Sequence, residues 1–303
     1  MKSVLVTGHS GFLGRHLVKG IERRYPNVKL YFSNSSERNL LRPIDNEGID
    51  HELDYIFHLA VDTKAGDYCL NHQADQWENN QLINTNIMHF WRRYQPQAKM
   101  ITMGTSCAYP DDEQDKTEAN ILKGDPNERL YIYAMTKRML LTGLEAFAQQ
   151  DNMKYIYFIP NTLYGPDFEI TDKHFIFEVI AKIAAAKYEG KTAVLWGSGY
   201  QKRELIYIDD AVNGILNNLH LENERVNIAT GKERTIRDYV ERVCECLSYP
   251  THFLRYDVEA YEGQKSKELR PSPLTGPFNQ TDLDQGIKKT VDYYVKQKYG
   301  NKM

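Results

Sequence analysis

Four cysteines in 303 residues (Cys69, Cys107, Cys244 and Cys246) are too few for a disulfide scaffold, and they lack the paired spacing of a zinc module. Cys244 and Cys246 fall in a helix-like stretch at 237–247, where core packing suits them better than chemistry. No run approaches the roughly 20 apolar residues of a membrane span, so no membrane partner is expected. The N-terminal apolar run follows a single lysine and is too short for a secretory signal, which makes the expected compartment cytoplasmic. Charge of one sign is also missing. Lys and Arg number 38 against 41 Asp and Glu, a net charge of −3, and that disfavours nucleic acid as a main partner. Internal repeats and low-complexity tracts are absent.

What is present is an ordinary globular composition, 41% hydrophobic and 26% charged. The length predicts roughly two units. Short apolar runs at 3–7, 29–32, 55–60, 99–103 and 155–159 read as buried strands. Helical patterns at 11–25, 74–94 and 133–150 lie between them. Strand, helix, strand in that rhythm predicts an α/β fold, a doubly wound Rossmann-type parallel sheet. After Pro160 the rhythm loosens. Helices are expected at 174–188, 209–219 and 236–247, strands at 192–196, 205–208 and 226–229, and a loop rich in Pro, Gly and charge over 257–280. The expected division is 1–165 for an NAD(P)-binding domain and 166–303 for a smaller α/β lobe that binds substrate. Some of its segments are expected to return to the first sheet.

The stretch from Thr7 to Gly14, TGHSGFLG, follows the first strand and opens the first helix. Gly8 suits a tight turn, Gly11 lets backbone approach a pyrophosphate, and Gly14 lets helix and strand meet closely. The phosphates would sit at the helix N-terminus, where free N–H groups and the dipole favour anions. After the second strand stands Ser-Asn-Ser-Ser-Glu-Arg (33–38), whose hydroxyls, amide and Arg38 suit a 2′-phosphate. NADP(H) is therefore favoured, with NAD(H) the alternative. His9 is expected to pack at the cofactor edge.

Tyr133 and Lys137 stand at i, i+4 on one face of a helix. An ammonium beside a phenol favours the phenolate and would tune it for proton exchange with a carbonyl. Upstream, the strand at 99–103 ends in Gly-Thr-Ser-Cys-Ala-Tyr-Pro (104–110), and catalytic groups in open α/β sheets gather at such strand ends. The charged stretch 111–128 reads as a flexible lip, without the ligand spacing of a metal site.

Glycine loop, Thr105-Ser106 strand end and Tyr133-x-x-x-Lys137, in that order, resemble the extended short-chain dehydrogenase/reductase family over nearly the whole chain. The likeness is strongest to its branch of epimerase/reductases acting on GDP-4-keto-6-deoxy-D-mannose. Matching segments are 105–110, 133–137 and 160–166, then His174, Trp196 with the following Gly-Ser-Gly, Arg203-Glu204-Leu205 and Asp209-Asp210. The resemblance implies that Thr105, Tyr133 and Lys137 form a catalytic triad and that Cys107 and His174 are the acid/base pair for epimerisation. It implies cofactor contacts at Gly8, Ser10, Gly11, Phe12, Leu13, Gly14, Ser33, Asn34, Arg38, Asn39, Leu40, Leu59, Ala60, Tyr133, Lys137 and Pro160. Substrate contacts follow at Thr105, Ser106, Thr162, Trp196, Arg203 and Lys265. Lys267 and Arg270 are further candidates for a diphosphate clamp, and Asn80 for tying backbone near the site. The chain departs from the family at Ser10, where an Arg is usual, and in the order Asn161-Thr162. The implied partner is a nucleotide-diphosphate sugar, GDP-sugar favoured, and the implied assembly a homodimer built on the helices at 74–94 and 133–150. Two other readings stand beside this one. One is a 4-reductase or epimerase without double epimerisation; the other is a non-catalytic dinucleotide-binding regulator.

Overall fold

The computed structural model describes residues 1–33, 38–64, 68–260, 264–276 and 280–300. The first unit runs β1 (Ser3–Thr7), α1 (Phe12–Arg24), β2 (Lys29–Ser33), β3 (Tyr55–His58), α2 (Tyr68–Asn71), α3 (Gln73–Tyr94), β4 (Lys99–Met103), α4 (Tyr131–Asp151) and β5 (Tyr155–Pro160). There follow β6 (Thr162–Tyr164), α5 (Phe175–Glu189), β7 (Val194–Trp196), β8 (Lys202–Arg203), β9 (Leu205–Tyr207), α6 (Ile208–Asn217), β10 (Glu224–Ile228), β11 (Arg234–Thr235), α7 (Ile236–Cys246), β12 (Arg255–Asp257) and α8 (Leu283–Tyr299).

Six strands form one parallel sheet in the order β10-β5-β4-β3-β1-β2. The chain leaves β1 for β2 on one side and returns to β3 on the other. The crevice beyond the carboxyl ends of β1 and β3 is thus the topological switch point, where ligands bind in open α/β sheets.

Both faces are covered, and the period-2 alternation of the strands divides the core accordingly. Leu5, Met100, Tyr155 and Tyr157 pack in the cluster with Ile87, Phe90 and Trp91 of α3 and Leu140 and Leu144 of α4. Val4, Val6, Ile101, Ile156 and Phe158 pack with Leu17 and Ile21 of α1 and Val212 and Ile215 of α6. Residues of β9, α6 and β10 therefore return to the first layer. A separate cluster of α5, α7 and α8 with Phe168, Leu195 and Tyr207 forms the core of the lobe.

Helix α7 starts at a reciprocal cap, in which Thr235 Oγ1 accepts from Asp238 N–H and Asp238 Oδ2 accepts from Thr235 N–H. Cys244 is buried in it, as its spacing implied, and all four cysteines are free. The loop expected over 257–280 gives way to α8, capped by the Asp282 carboxylate and buried through Ile287, Val291, Tyr294 and Val295. The stretch 111–128 is pinned rather than a loose lip. Ile121 is fully buried, Lys116 nearly so, and Pro110 bridges Pro126. No helix among the described residues is long and apolar enough to cross a membrane.

Candidate active site

The cleft at the switch point starts from a close approach of backbone. Gly8 has φ +66°, and a Cβ there would meet Ala60 N at 2.7 Å; one on Gly14 would strike the Gly8 carbonyl. The loop between β1 and α1 can pass this close to the end of β3 only with glycine at those positions.

The result is a cavity of about 760 Å³. At one end stand Gly8, Ser10, Gly11, Phe12, Leu13, Gly14, Ser33, Asn39 and Leu40, and at the other Tyr133 and Lys137, with Leu59 and Ala60 between. A glycine cradle at a helix N-terminus is the right receptor for a diphosphate, so the residues present fit a dinucleotide. Sequence reasoning did not reach Val61, Asp62, Asn79 and Ile83, which also line it. Their signal is tertiary, because α3 holds the loop after β3 through side-chain amides. Asn80 Oδ1 accepts from Asp62 N–H at 2.9 Å while its Nδ2 donates to Asp62 O at 2.9 Å, and Asn79 Nδ2 donates to the Asp62 carboxylate at 2.7 Å. His9 packs against Phe32, with ring centroids 4.4 Å apart and the planes tilted by 38°.

Beneath this floor lies a closed polar chain. His58 is buried, with Nδ1 2.9 Å from Thr7 Oγ1 and Nε2 3.1 Å from Asn84 Oδ1. Thr7 Oγ1 accepts from the N–H groups of Leu59 and Ala60, so its proton goes to His58 Nδ1 and Nε2–H donates to Asn84. Every partner is satisfied by the neutral ring. Burial pushes the imidazole down to about 4, with the Asn84 hydrogen bond opposing. The unfolded ring, at about 6.5, takes up its proton first, so the stability that His58 contributes above 6.5 is lost as pH falls through 4. That window holds about 3 kcal/mol. Urea midpoints at pH 7 and pH 4 should converge by a corresponding amount in His58→Gln; equal pH slopes in both proteins would refute the assignment.

A second cavity, of about 480 Å³, adjoins the first and shares Gly104 and Tyr133 with it. Thr105, Ser106, Cys107, Pro160, Asn161, Thr162, His174, Arg203 and Lys267 line it. Thr105 caps the 3₁₀ turn Ser106–Ala108 by accepting from Cys107 N–H at 3.3 Å. Arg138 holds the same turn from behind, donating to the carbonyls of Ala108, Lys123 and Gly124.

Tyr133 and Lys137 lie in the first two turns of α4, but Lys137 Nζ donates to Met103 O at 2.8 Å. Burial holds that ammonium down to about 8. The sequence argument expected the lysine to lower the tyrosine. Instead burial, with Cys107 beside it, holds the phenol well above its ordinary value, against the opposing hydrogen bond from Thr105. Tyr133 lines both cavities, so its hydroxyl belongs to the wall that they share.

His174 precedes α5 at the cavity rim, with its side chain 55% exposed. Its Nδ1 lies 2.6 Å from Asp172 Oδ1. Burial works against the Asp172 carboxylate, yet the His174 hydrogen bond holds it below its ordinary value. A carboxylate only accepts, so Nδ1 carries a proton, and in the neutral ring the lone pair is on Nε2. Asp172 escaped the sequence reading, although an acid two residues before the histidine is a readable short-turn signal.

This combination of phosphate cradle, Tyr/Lys pair and strand-end hydroxyl agrees with the model of the NAD-dependent epimerase/dehydratase family, which matches residues 4–229. The chain belongs to that family. It is thus an NAD(P)-dependent enzyme of the extended short-chain dehydrogenase/reductase type. Among curated relatives, the GDP-L-colitose synthase of Yersinia pseudotuberculosis is 27% identical over 307 residues, covering 97% of this chain and 98% of that one. The GDP-L-fucose synthase of Escherichia coli K12 is 25% identical over 313 residues, covering 96% of each. A GDP-L-fucose synthetase of Naegleria fowleri, solved with NADP bound, superposes with a TM-score of 0.85 at 22% identity, covering 98% of this chain and 94% of that one.

Not every residue expected at a contact lines the cavity expected for it. Arg38 is turned back onto the carbonyls of Phe32 and Glu47, and it does not line the cofactor cavity. Pro160 lines the second cavity instead of the first. Trp196 lies outside both, its ring 4.7 Å below the Lys182 ammonium. Lys265 is exposed, and Lys267 takes the place in the cavity expected for it. Asn34 lies outside the described residues. No cluster of metal-ligating side chains occurs among the described residues.

Proposed function

We propose that the chain is an NADP(H)-dependent 3,5-epimerase and 4-reductase of GDP-4-keto-6-deoxy-D-mannose or a closely related GDP-keto-sugar. The observation that carries this reading is that Cys107 and His174, far apart in sequence, line one cavity with Thr105 and Tyr133. The names of the curated relatives point to the GDP-sugar class, and the Naegleria structure points to NADP.

The 4-keto group acidifies the protons on carbons 3 and 5. The Cys107 sulfur and His174 Nε2, as base and acid, exchange those protons through an enolate on the sugar. Thr105 and Tyr133 hydrogen-bond the carbonyl oxygen and hold the enolate charge. The bound dinucleotide supplies the hydride for carbon 4. Tyr133 then protonates the oxygen, and Lys137 holds a positive charge beside that end of the cleft. Arg203 meets the diphosphate side of the substrate.

We further place the enzyme in the cytoplasm, where nucleotide sugars and reduced cofactor are made. We propose a homodimer through α3 and α4, whose outer faces carry Trp77, Leu82 and Met139.

Mass spectrometry of GDP-4-keto-6-deoxymannose in deuterated water tests the reading. Deuterium should enter carbons 3 and 5 before cofactor is added, and reduction should follow NADPH. Cys107→Ala and His174→Gln should each cut that exchange at least a hundredfold. Reduction without exchange would make the enzyme a simple 4-reductase, a reading that the half-exposed His174 favours. No reaction at all would end the substrate assignment.

A further inference from the structure

We propose that Lys267 is the positive partner of the Cys107 sulfur, a positioning residue for the cysteine half of the acid/base pair. The proposal rests on the reading of Cys107 as an acid/base group.

Lys267 Nζ lies 3.5 Å from Cys107 Sγ, across 160 residues of sequence. A rim lysine ordinarily extends into water, as its neighbour Lys265 does. Lys267 instead points into the cavity because its backbone is held on both sides. Its N–H donates to Glu233 Oε1 at 2.6 Å and its carbonyl accepts from Asn161 Nδ2 at 2.6 Å. Two residues on, Leu269 N–H donates to the buried Glu204 at 3.3 Å. The ammonium is in no ion pair among the described residues, so the sulfur is the group it faces.

Thiolate is the form of cysteine that accepts a proton, and a cation at this distance stabilises it. When Cys107 takes a proton from the sugar, the C–H electron pair passes into the enolate and the sulfur becomes a neutral thiol. The thiol returns that proton in the reverse step. Lys267 stays protonated throughout and forms no bond.

The test is iodoacetamide alkylation of the full-length protein at fixed neutral pH without substrate. Labelling is read on the Cys107 peptide, which separates it from the other three cysteines. Lys267→Met should slow Cys107 alkylation at least threefold. The thiolate is the reactive form, and the methionine variant removes the cation that faces it. Lys267→Arg should return the rate to within twofold of wild type, and Lys267→Gln should repeat the methionine result if the longer apolar chain disturbs folding. In turnover, Lys267→Met should lower kcat about tenfold with little change in KM. Unchanged alkylation with a raised KM alone would overturn the proposal and make Lys267 a phosphate ligand only. Because alkylation needs no sugar, failure of the substrate assignment in the deuterium experiment leaves this outcome readable by itself.

Discussion

Tyr133→Phe should lower the rate of reduction about a thousandfold, within the 10²–10⁴ range of a positioned general acid. The phenol lines both cavities, beside Thr105 in the second. Phenylalanine keeps the ring and removes only the transferable proton. The expected signature is a fall in kcat with KM nearly unchanged, because the interaction is made in the transition state. Single-turnover absorbance of the reduced cofactor measures it. A variant within tenfold of wild type would mean that water or another side chain supplies the proton. Exchange at carbons 3 and 5 should slow as well, since the same oxygen carries the enolate charge.

Glu204→Ala should cost about 3–5 kcal/mol of stability, since several buried donors lose their acceptor at about 1–3 kcal/mol each. The carboxylate is fully buried and is the meeting point of three chain segments. It accepts from the N–H of Thr230 and, at 2.7 Å, from the Thr230 hydroxyl. Gly231 N–H reaches it at 2.9 Å, Asn161 Nδ2 at 2.8 Å and Leu269 N–H at 3.3 Å. Burial pushes this carboxyl up, while those donors pull the other way. Alanine leaves every donor without its acceptor. Because the same donors place Asn161 and the segment bearing Lys267, turnover should fall with stability. Denaturant midpoints beside kcat/KM measure both. A loss below about 1 kcal/mol would show that water replaces the carboxylate in the cavity.

The two variants probe different layers of the molecule, and the layers differed in how openly the sequence displayed them. The Tyr133/Lys137 pair, the glycine loop and the alternation of strand and helix were all readable, because each rests on a period or on local sterics. A spacing of four residues brings two side chains to one helix face wherever the helix sits. A strand buried on both faces reads as a near-continuous apolar run, as Val4 to Val6 of β1 and Tyr155 to Ile159 of β5 do. Helix α8 carried the same kind of signal, with Ile287, Val291, Tyr294 and Val295 at helical spacing behind the Asp282 cap. The charged, Pro-rich stretch before it hid the change of period.

What the sequence determined by itself was the sheet, the phosphate cradle and the reactive tyrosine face, all set by interactions within a few residues or by a repeating pattern. Tertiary structure alone decided which members of the long loops reach the site. Lys267 enters and Lys265 does not because Glu233, Asn161 and Glu204 fix the backbone between them. Loop side chains go where buried hydrogen-bond donors and acceptors must be satisfied. The partners that fix the Lys267 segment stand 34 to 106 residues away, where no local pattern records them.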